Sequence, residues 1–324
     1  MGFQFMDLQH RPEFLVQENL HLAAYGPDSP FGHPTLAPME NVESLSVDMV
    51  QNYRKRLFHS DRLVIAAAGV KHEPFVEEVN GIFGDMRRGR APENPSEEYI
   101  GGSHFSDATQ DNGEPLEHTH IAIVFPTVGW TDSQVIPACV LDTLLGGGAS
   151  FSAGGPGKGM YSRLYREVLS RHAWIERANA FSLQYANVGL MGIYGACEPK
   201  AADQLAAIMC GELATVALEG VYEDELMRAK NQLRSSVMMN LESRGVLCED
   251  IGRQVLVRNK RMDPDELCQR INAVSGEDLK KIATDALQRK PTIVGVGNTE
   301  RVPAYGNIIN YFDAYKSKLS GNGQ

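Results

Sequence analysis

The sequence predicts an α+β architecture in two parts: one complete sheet-and-helix domain, preceded by the C-terminal part of a homologous domain. Three observations carry this expectation. From residue 118 onward, strand-like and helix-like patterns follow one another in long blocks. Two stretches far apart repeat the same helix-then-strand plan, as an internal duplication would. Between them Arg87 to Gly113 (RRGRAPENPSEEYIGGSHFSDATQDNG) is rich in proline, glycine, serine and charge, the composition of an interdomain linker. The boundaries that follow are 1–86 for the partial first domain, 87–116 for the linker, 117–318 for the second domain and 319–324 for a tail.

The repeat pairs SVDMVQNYRKRLFHSDRLVIAAAGV, from Ser46, with SGEDLKKIATDALQRKPTIVGVG, from Ser275. Each opens on a serine followed two residues on by an acid. There a side-chain cap and a first-turn carboxylate satisfy free amides and the helix dipole. Each continues as an amphipathic helix, a short basic turn and an apolar strand ending in Gly69 or Gly297. The offset is 229 residues at the serines and 228 at the glycines. Leu63–Val70 (LVIAAAGV), the longest apolar run, is expected to be a buried strand and falls well short of the roughly 18 residues of a membrane span. By the same offset the first unit would begin about 110 residues before Met1, so the chain is expected to hold the tail of one unit and the whole of another.

Within the second unit the patterns predict a strand over 118–128, then a helix over 132–145 carried by Asp132, Ser133, Val135, Cys139, Val140 and Leu144. A glycine-rich run follows, then a helix over 159–169 and strands over 174–186 and 188–197. Helical spacing marks Ala201–Leu218, Glu223–Leu241, Glu249–Val257, Pro264–Val274 and Glu277–Leu287.

Composition narrows the function classes. With 43% hydrophobic and 22% charged residues the chain reads as a soluble globular protein. Acids outnumber bases 41 to 31, a net charge of −10, which disfavours nucleic acid and anionic membranes and favours cationic partners. Five cysteines without a CxxC pair argue for a reducing compartment and against a disulfide scaffold or zinc knuckle. The start, MGFQFMDLQHRPEF, shows neither a secretory signal nor an Arg-rich transit peptide.

Seven of the fourteen residues from Gly146 to Gly159 are glycine, in LLGGGASFSAGGPGKGMYSRLYREVL. A phosphate loop would need GxxxxGK and then Ser or Thr, but position 152 is Ser and position 159 is Gly. The dinucleotide pattern fails too, with Met160 where a third glycine belongs and a helix where a strand should precede. A flexible linker would share this composition. However, Phe151 and Pro156 interrupt the run, and it feeds into a helical stripe of Met160, Leu164 and Val168. A flap tethered at both ends, whose backbone can lie against peptide main chain of any sequence, is therefore expected. Its residues are Gly146, Gly147, Gly148, Ser150, Phe151, Ser152, Gly154, Gly155, Pro156, Gly157, Lys158 and Gly159.

His118 and His120 would share one strand face at a spacing that suits a metal, yet no third ligand is evident and a solvent-facing pair is expected. The nine histidines form neither HxxEH nor HExxH, and there is no GxSxG. The acidic groups Glu223-Asp224-Glu225, Glu249-Asp250 and Asp263-Asp265-Glu266 stand at expected helix starts, where dipole compensation explains them.

Residues 21–70 resemble the end of the first domain of the pitrilysin-like zinc peptidases. GGGASFSAGGPGKGMYSRLYREVL and ELMRAKNQLRSSVMMNLESRGVLCEDIGRQVL (225–256) look like the alpha-subunit branch of the mitochondrial processing peptidases within that family, and the resemblance covers nearly the whole chain. It implies two similar α+β domains facing each other like a clam shell. An alpha and a catalytic beta subunit would enclose an acidic chamber in the mitochondrial matrix. The beta subunit would supply HxxEH and the zinc; this chain would hold no catalytic residue and no metal, and would recognise basic presequences. Glu225, Glu249 and Asp250 fall where the family places carboxylates that attract presequence bases, and the glycine run would take part in handling substrate. The alternatives are a core structural subunit of the respiratory cytochrome reductase, and an active zinc protease whose metal motif lies upstream of Met1.

Overall fold

The computed structural model describes residue 8 and residues 10–89, 98–110, 112–149 and 160–321. In chain order its helices are α1 (Pro12–Tyr25), α2 (Met39–Ser44), α3 (Val47–Leu57), α4 (His72–Phe83), α5 (Val135–Leu145), α6 (Ala202–Glu219), α7 (Glu223–Glu242), α8 (Arg244–Arg258), α9 (Pro264–Ala273), α10 (Gly276–Leu287) and α11 (Tyr305–Gly321). The strands are β1 (Gly102–Ser106), β2 (Thr119–Val128), β3 (Gly147–Ala149), β4 (Ile175–Gln184), β5 (Val188–Cys197) and β6 (Thr292–Val296).

The chain divides into two compact units: one formed by the described residues of Met1–Ala37, Ser96–Leu233 and Arg270–Gln324, the other by those of Pro38–Pro95 and Arg234–Gln269. These limits are not the expected boundaries at 86 and 117. The reason lies in α1, whose Val16, Leu20, Ala23, Ala24 and Tyr25 bury against Ala122, Val124, Leu190, Tyr194, Val294 and Val296 of the second domain's sheet.

In the larger unit six strands form one sheet in the order β1-β6-β2-β5-β4-β3. β6 pairs with β1 in parallel and with β2 antiparallel, so it is an interior strand. α1 covers one face. On the other, Phe125 meets Phe312 of α11 edge-on at 4.9 Å, and Phe125 and Met191 pack with Leu141 of α5, Leu213 of α6 and Leu287 of α10. Coverage on both faces explains why β2 reads as a continuous apolar run from Ile121 to Phe125 rather than an alternation. With the turn before it, α6 makes a 21-residue helix (Pro199–Glu219) long and apolar enough to cross a bilayer by composition. Here its Leu205 and Met209 lie against Gly195 of β5, inside the core.

β1 lies within the segment expected to be linker. Its strand pairing is made by backbone groups, to which composition is blind. The Tyr99 hydroxyl locks the approach by donating to the Lys290 carbonyl at 2.8 Å, with Thr292 Oγ1 also at 2.8 Å.

The smaller unit holds α2, α3, α4 and α8. Leu63–Val70, expected to be a buried strand, has no hydrogen-bonded strand neighbour among the described residues, and Leu63, Ile65 and Val70 are exposed. A strand exists only as part of a ladder, and no described strand offers one. The duplication makes the contrast sharp. Both serines cap as expected, Ser46 accepting from Met49 N and Ser275 forming a reciprocal capping box with Asp278. However, α10 buries Leu279, Ile282, Ala283, Ala286 and Leu287, whereas α3 buries none of its residues. By hydrogen-exchange mass spectrometry, amides of 64–68 are expected to exchange roughly a thousandfold faster than those of Thr292–Val296.

Candidate functional site

The glycine run leaves the sheet through a tightly specified stem. Gly146 caps α5 with φ 52° and ψ −125°; its N–H donates to the Asp142 carbonyl at 2.8 Å and its carbonyl accepts from Ala180 N at 2.7 Å. Gly147, at φ 110°, donates to Ser162 Oγ at 2.9 Å. A Cβ on Gly147 would lie 2.0 Å from the Ala178 carbonyl oxygen, so only glycine fits. Gly147, Gly148 and Ala149 then pair antiparallel with Asn179, Ala178 and Arg177. Gly146–Gly148, expected within a flap, are therefore the end of a helix and an edge strand. Ser150, Phe151, Ser152, Gly154, Gly155, Pro156, Gly157, Lys158 and Gly159 lie outside the described residues.

Beyond the run, Leu164–Leu169 forms a π-helical turn in place of the expected α-helix, with Ser170 N donating to the Tyr165 carbonyl five residues back at 2.9 Å. Such turns are commonly found next to functional segments. Leu164 and Val168 are buried as expected, whereas Met160 is exposed. Just before the turn Arg163, 5% exposed, pairs through Nη2 with Glu225 Oε2 at 2.6 Å, where Glu225 is 11% exposed. The Tyr222 N–H also donates to Glu225 at 3.4 Å. Glu225, expected to face substrate, is thus held by a cation of its own chain. Glu212 stands near the same guanidinium: burial lifts its pKa, while Arg163 pulls it down.

Glu249 and Asp250 belong to the smaller unit. α8 begins at Arg244, so both lie in its second turn rather than at its start. Asp250 receives Gln254 Nε2 on both oxygens at 2.9 Å, with Arg253 at 3.7 Å and Arg261 at 3.6 Å. Glu249 is exposed and has no ion pair among the described residues.

His120 does not face solvent. It is buried, with Nδ1 2.6 Å from the Tyr194 hydroxyl, and burial brings its pKa down to about 4. Among the described residues no group of three or more His, Cys, Asp or Glu side chains is placed to hold a metal. The pH consequence has a definite sign. Above the free-histidine value both folded and unfolded states are neutral; between about 6.5 and about 4 only the unfolded state takes the proton, so stability falls with acid. His120→Gln is expected to remove about 3 kcal/mol of this loss, read from urea midpoints at pH 7 and pH 4.

Two residues near the run escaped the sequence patterns. Arg163 sits in an amphipathic-looking stretch whose basic residues look like solvent charges. Asp142 is the one charge in an apolar helix, VIPACVLDTLL, and that isolation was a readable signal. Burial lifts its carboxyl to about 6, and its Oδ1 is buried without a partner.

One mixed six-stranded sheet with helices packed on both faces makes this an α+β domain. The family model described as the peptidase M16 inactive domain matches residues 44–233, and the chain belongs to that family. It is 36% identical to the mitochondrial-processing peptidase subunit alpha of Homo sapiens, over 98% of this chain and 62% of that protein. The same subunit of Bos taurus is 37% identical over 94% of this chain and 60% of that protein, and that of Neurospora crassa 33% over 87% and 61%. The chain thus spans about three fifths of the length of the curated relatives it matches. Among solved structures, complex III2 from Candida albicans with Inz-5 bound contains a chain that superposes with a TM-score of 0.83 at 20% identity, covering 95% of this chain and 73% of that one. That likeness is one of fold, and it agrees with the α+β, pitrilysin-like fold expected from the resemblance.

Proposed function

We propose that the chain acts as the substrate-recognition, non-catalytic alpha subunit of a heterodimeric mitochondrial processing peptidase in the matrix, binding basic presequences of imported precursors. The observation that carries this reading is the glycine run clamped at both stems, by Gly146 and Gly147 before it and the buried Arg163–Glu225 pair after it. A slack linker needs no such clamps; a loop that must present its backbone to an extended peptide does. Relatives named as this subunit in Homo sapiens, Bos taurus and Neurospora crassa support it. So does the net charge of −10, since presequences are Arg-rich and poor in acids. Of the three acids expected to bind them, Glu249 is the one free of an ion pair among the described residues, and so the readiest acceptor. The catalytic beta subunit would carry the zinc, which lowers the pKa of a bound water and polarises the scissile carbonyl.

Deleting Ser150–Gly157 in the chain reconstituted with a beta subunit is expected to raise KM or lower turnover of a precursor at least about tenfold while the two chains still assemble. Unchanged processing would remove the reading. A second reading, a core subunit of the respiratory cytochrome reductase, draws on the complex III2 likeness. Purification separates the two: a soluble two-chain complex supports the peptidase, and a detergent-dependent complex containing haem supports the reductase.

A further inference from the structure

In the internal repeat Leu63–Val70 is the counterpart of β6, and the two segments meet very different surroundings. β6 is buried throughout and paired along both edges. Its counterpart is covered by α8 on one face, where a Cβ on Gly252 would lie 3.3 Å from the Ala66 Cβ and the Cys248 thiol donates to the Ala66 carbonyl at 3.3 Å. Its edges are bare. Among the described residues no backbone group of Val64–Val70 is hydrogen-bonded to another backbone group. Ile65, Ala67 and Val70 also line an open groove of about 330 Å³, together with Phe75 and Val76 of α4 and Ile251 of α8. An extended apolar edge without charge or proline is a template for strand addition.

The charges flanking the segment select what adds. Arg54, Lys55, Arg56 and Arg62 precede it, and Glu73, Glu77 and Glu78 follow it. All seven are exposed, and none makes an ion pair among the described residues. In an antiparallel pair of identical segments the basic end of each lies beside the acidic end of the other, whereas a parallel pair sets like charges together. A two-fold arrangement centred on Ala67 places Val64 opposite Val70 and Ala66 opposite Ala68 on the face that α8 covers, and Ile65 opposite Gly69 on the outer face. We propose that Val64–Val70 is a dimerisation edge, pairing antiparallel with the same segment of a second copy of this chain. The inference is independent of the proposed function, since it needs neither a bound peptide nor a catalytic partner.

Sedimentation equilibrium of the full chain alone is expected to give twice the mass of one chain at micromolar concentration. Ile65→Lys sets a charge on the exposed edge and is expected to weaken the dimer at least about tenfold, with an unchanged far-UV circular dichroism spectrum. Arg54→Glu, Lys55→Glu and Arg56→Glu together are expected to weaken it as well, and adding Glu73→Lys, Glu77→Lys and Glu78→Lys to restore it. The fast exchange expected of amides 64–68 belongs to the monomer, and is expected to slow as concentration rises through the dimer range. A chain that stays monomeric up to about 100 μM overturns the proposal. So does growth beyond the dimer, or a dimer unaffected by Ile65→Lys or by the charge reversal. A dimer that leaves precursors unprocessed when joined by a beta subunit overturns the proposed function and supports this inference.

Discussion

Glu225→Gln is expected to lower folding stability by about 3–5 kcal/mol, because it strands a buried guanidinium. Arg163 is 5% exposed, its Nη2 contact at 2.6 Å is with Glu225, and its Nη1 already lacks a partner. Glu212 is a poor substitute, since burial favours its protonated form. Replacing both partners by apolar residues, Arg163→Met with Glu225→Leu, is expected to recover most of the loss, because desolvation is then no longer demanded of either charge. Urea midpoints for the two single variants and the double give the coupling through a mutant cycle. The same experiment decides the role of Glu225. A carboxylate reserved for substrate would leave the midpoint unchanged on conversion to Gln and raise KM for arginine-bearing presequences.

Gly147→Ala is expected to cost about 3 kcal/mol or more, while Gly148→Ala one residue on is expected to stay within about 0.5 kcal/mol. The difference is geometric. At Gly147 the new methyl would stand 2.0 Å from the Ala178 carbonyl oxygen and 2.7 Å from the Asn179 Cα, and backbone atoms of a neighbouring strand cannot step aside. Its φ of 110° adds strain for any L side chain. At Gly148 the same construction meets nothing within 4 Å. Thermal melts give the size of the effect. Hydrogen exchange of Ala178 and Asn179 shows whether the chain responds by unfolding or by releasing β3 from β4.

Much of the larger unit was legible because its pattern is set by burial. β2, β4 and β5 and helices α5, α6 and α10 fall within a few residues of their expected spans, as do α7 and α9, which run across the limits of the two units. The misreadings share one cause: they depend on what a segment meets, which local periodicity does not record. Leu63–Val70 has the composition of β6 but lacks its ladder. Gly102–Ser106 has linker composition yet pairs with β6 through its backbone. The sequence predicts a solvent-facing His118/His120 pair because polar side chains at a strand start usually face water; Tyr194, opposite Ala122 in register, supplies the hydroxyl that lets His120 be buried. At the candidate site, glycine content pointed to the right segment. It could not separate Gly146 and Gly147, which steric clash demands, from Gly148, which has open space. Nor could it reveal that Glu225 is paired with a residue 62 positions earlier.

The interior position of β6 has a consequence for synthesis. Its parallel neighbour β1 ends at Ser106, but β6 itself starts only at Thr292, so at a ribosomal pace of about 5–20 residues per second the sheet remains open for roughly 10–40 s. During that interval β1 has no partner and β2 presents a bare edge to every other nascent chain nearby. Shelter by chaperones is therefore expected to matter until Thr292–Val296 has been made, and a stop codon before Thr292 leaves β1 without its partner and one edge of β2 unpaired.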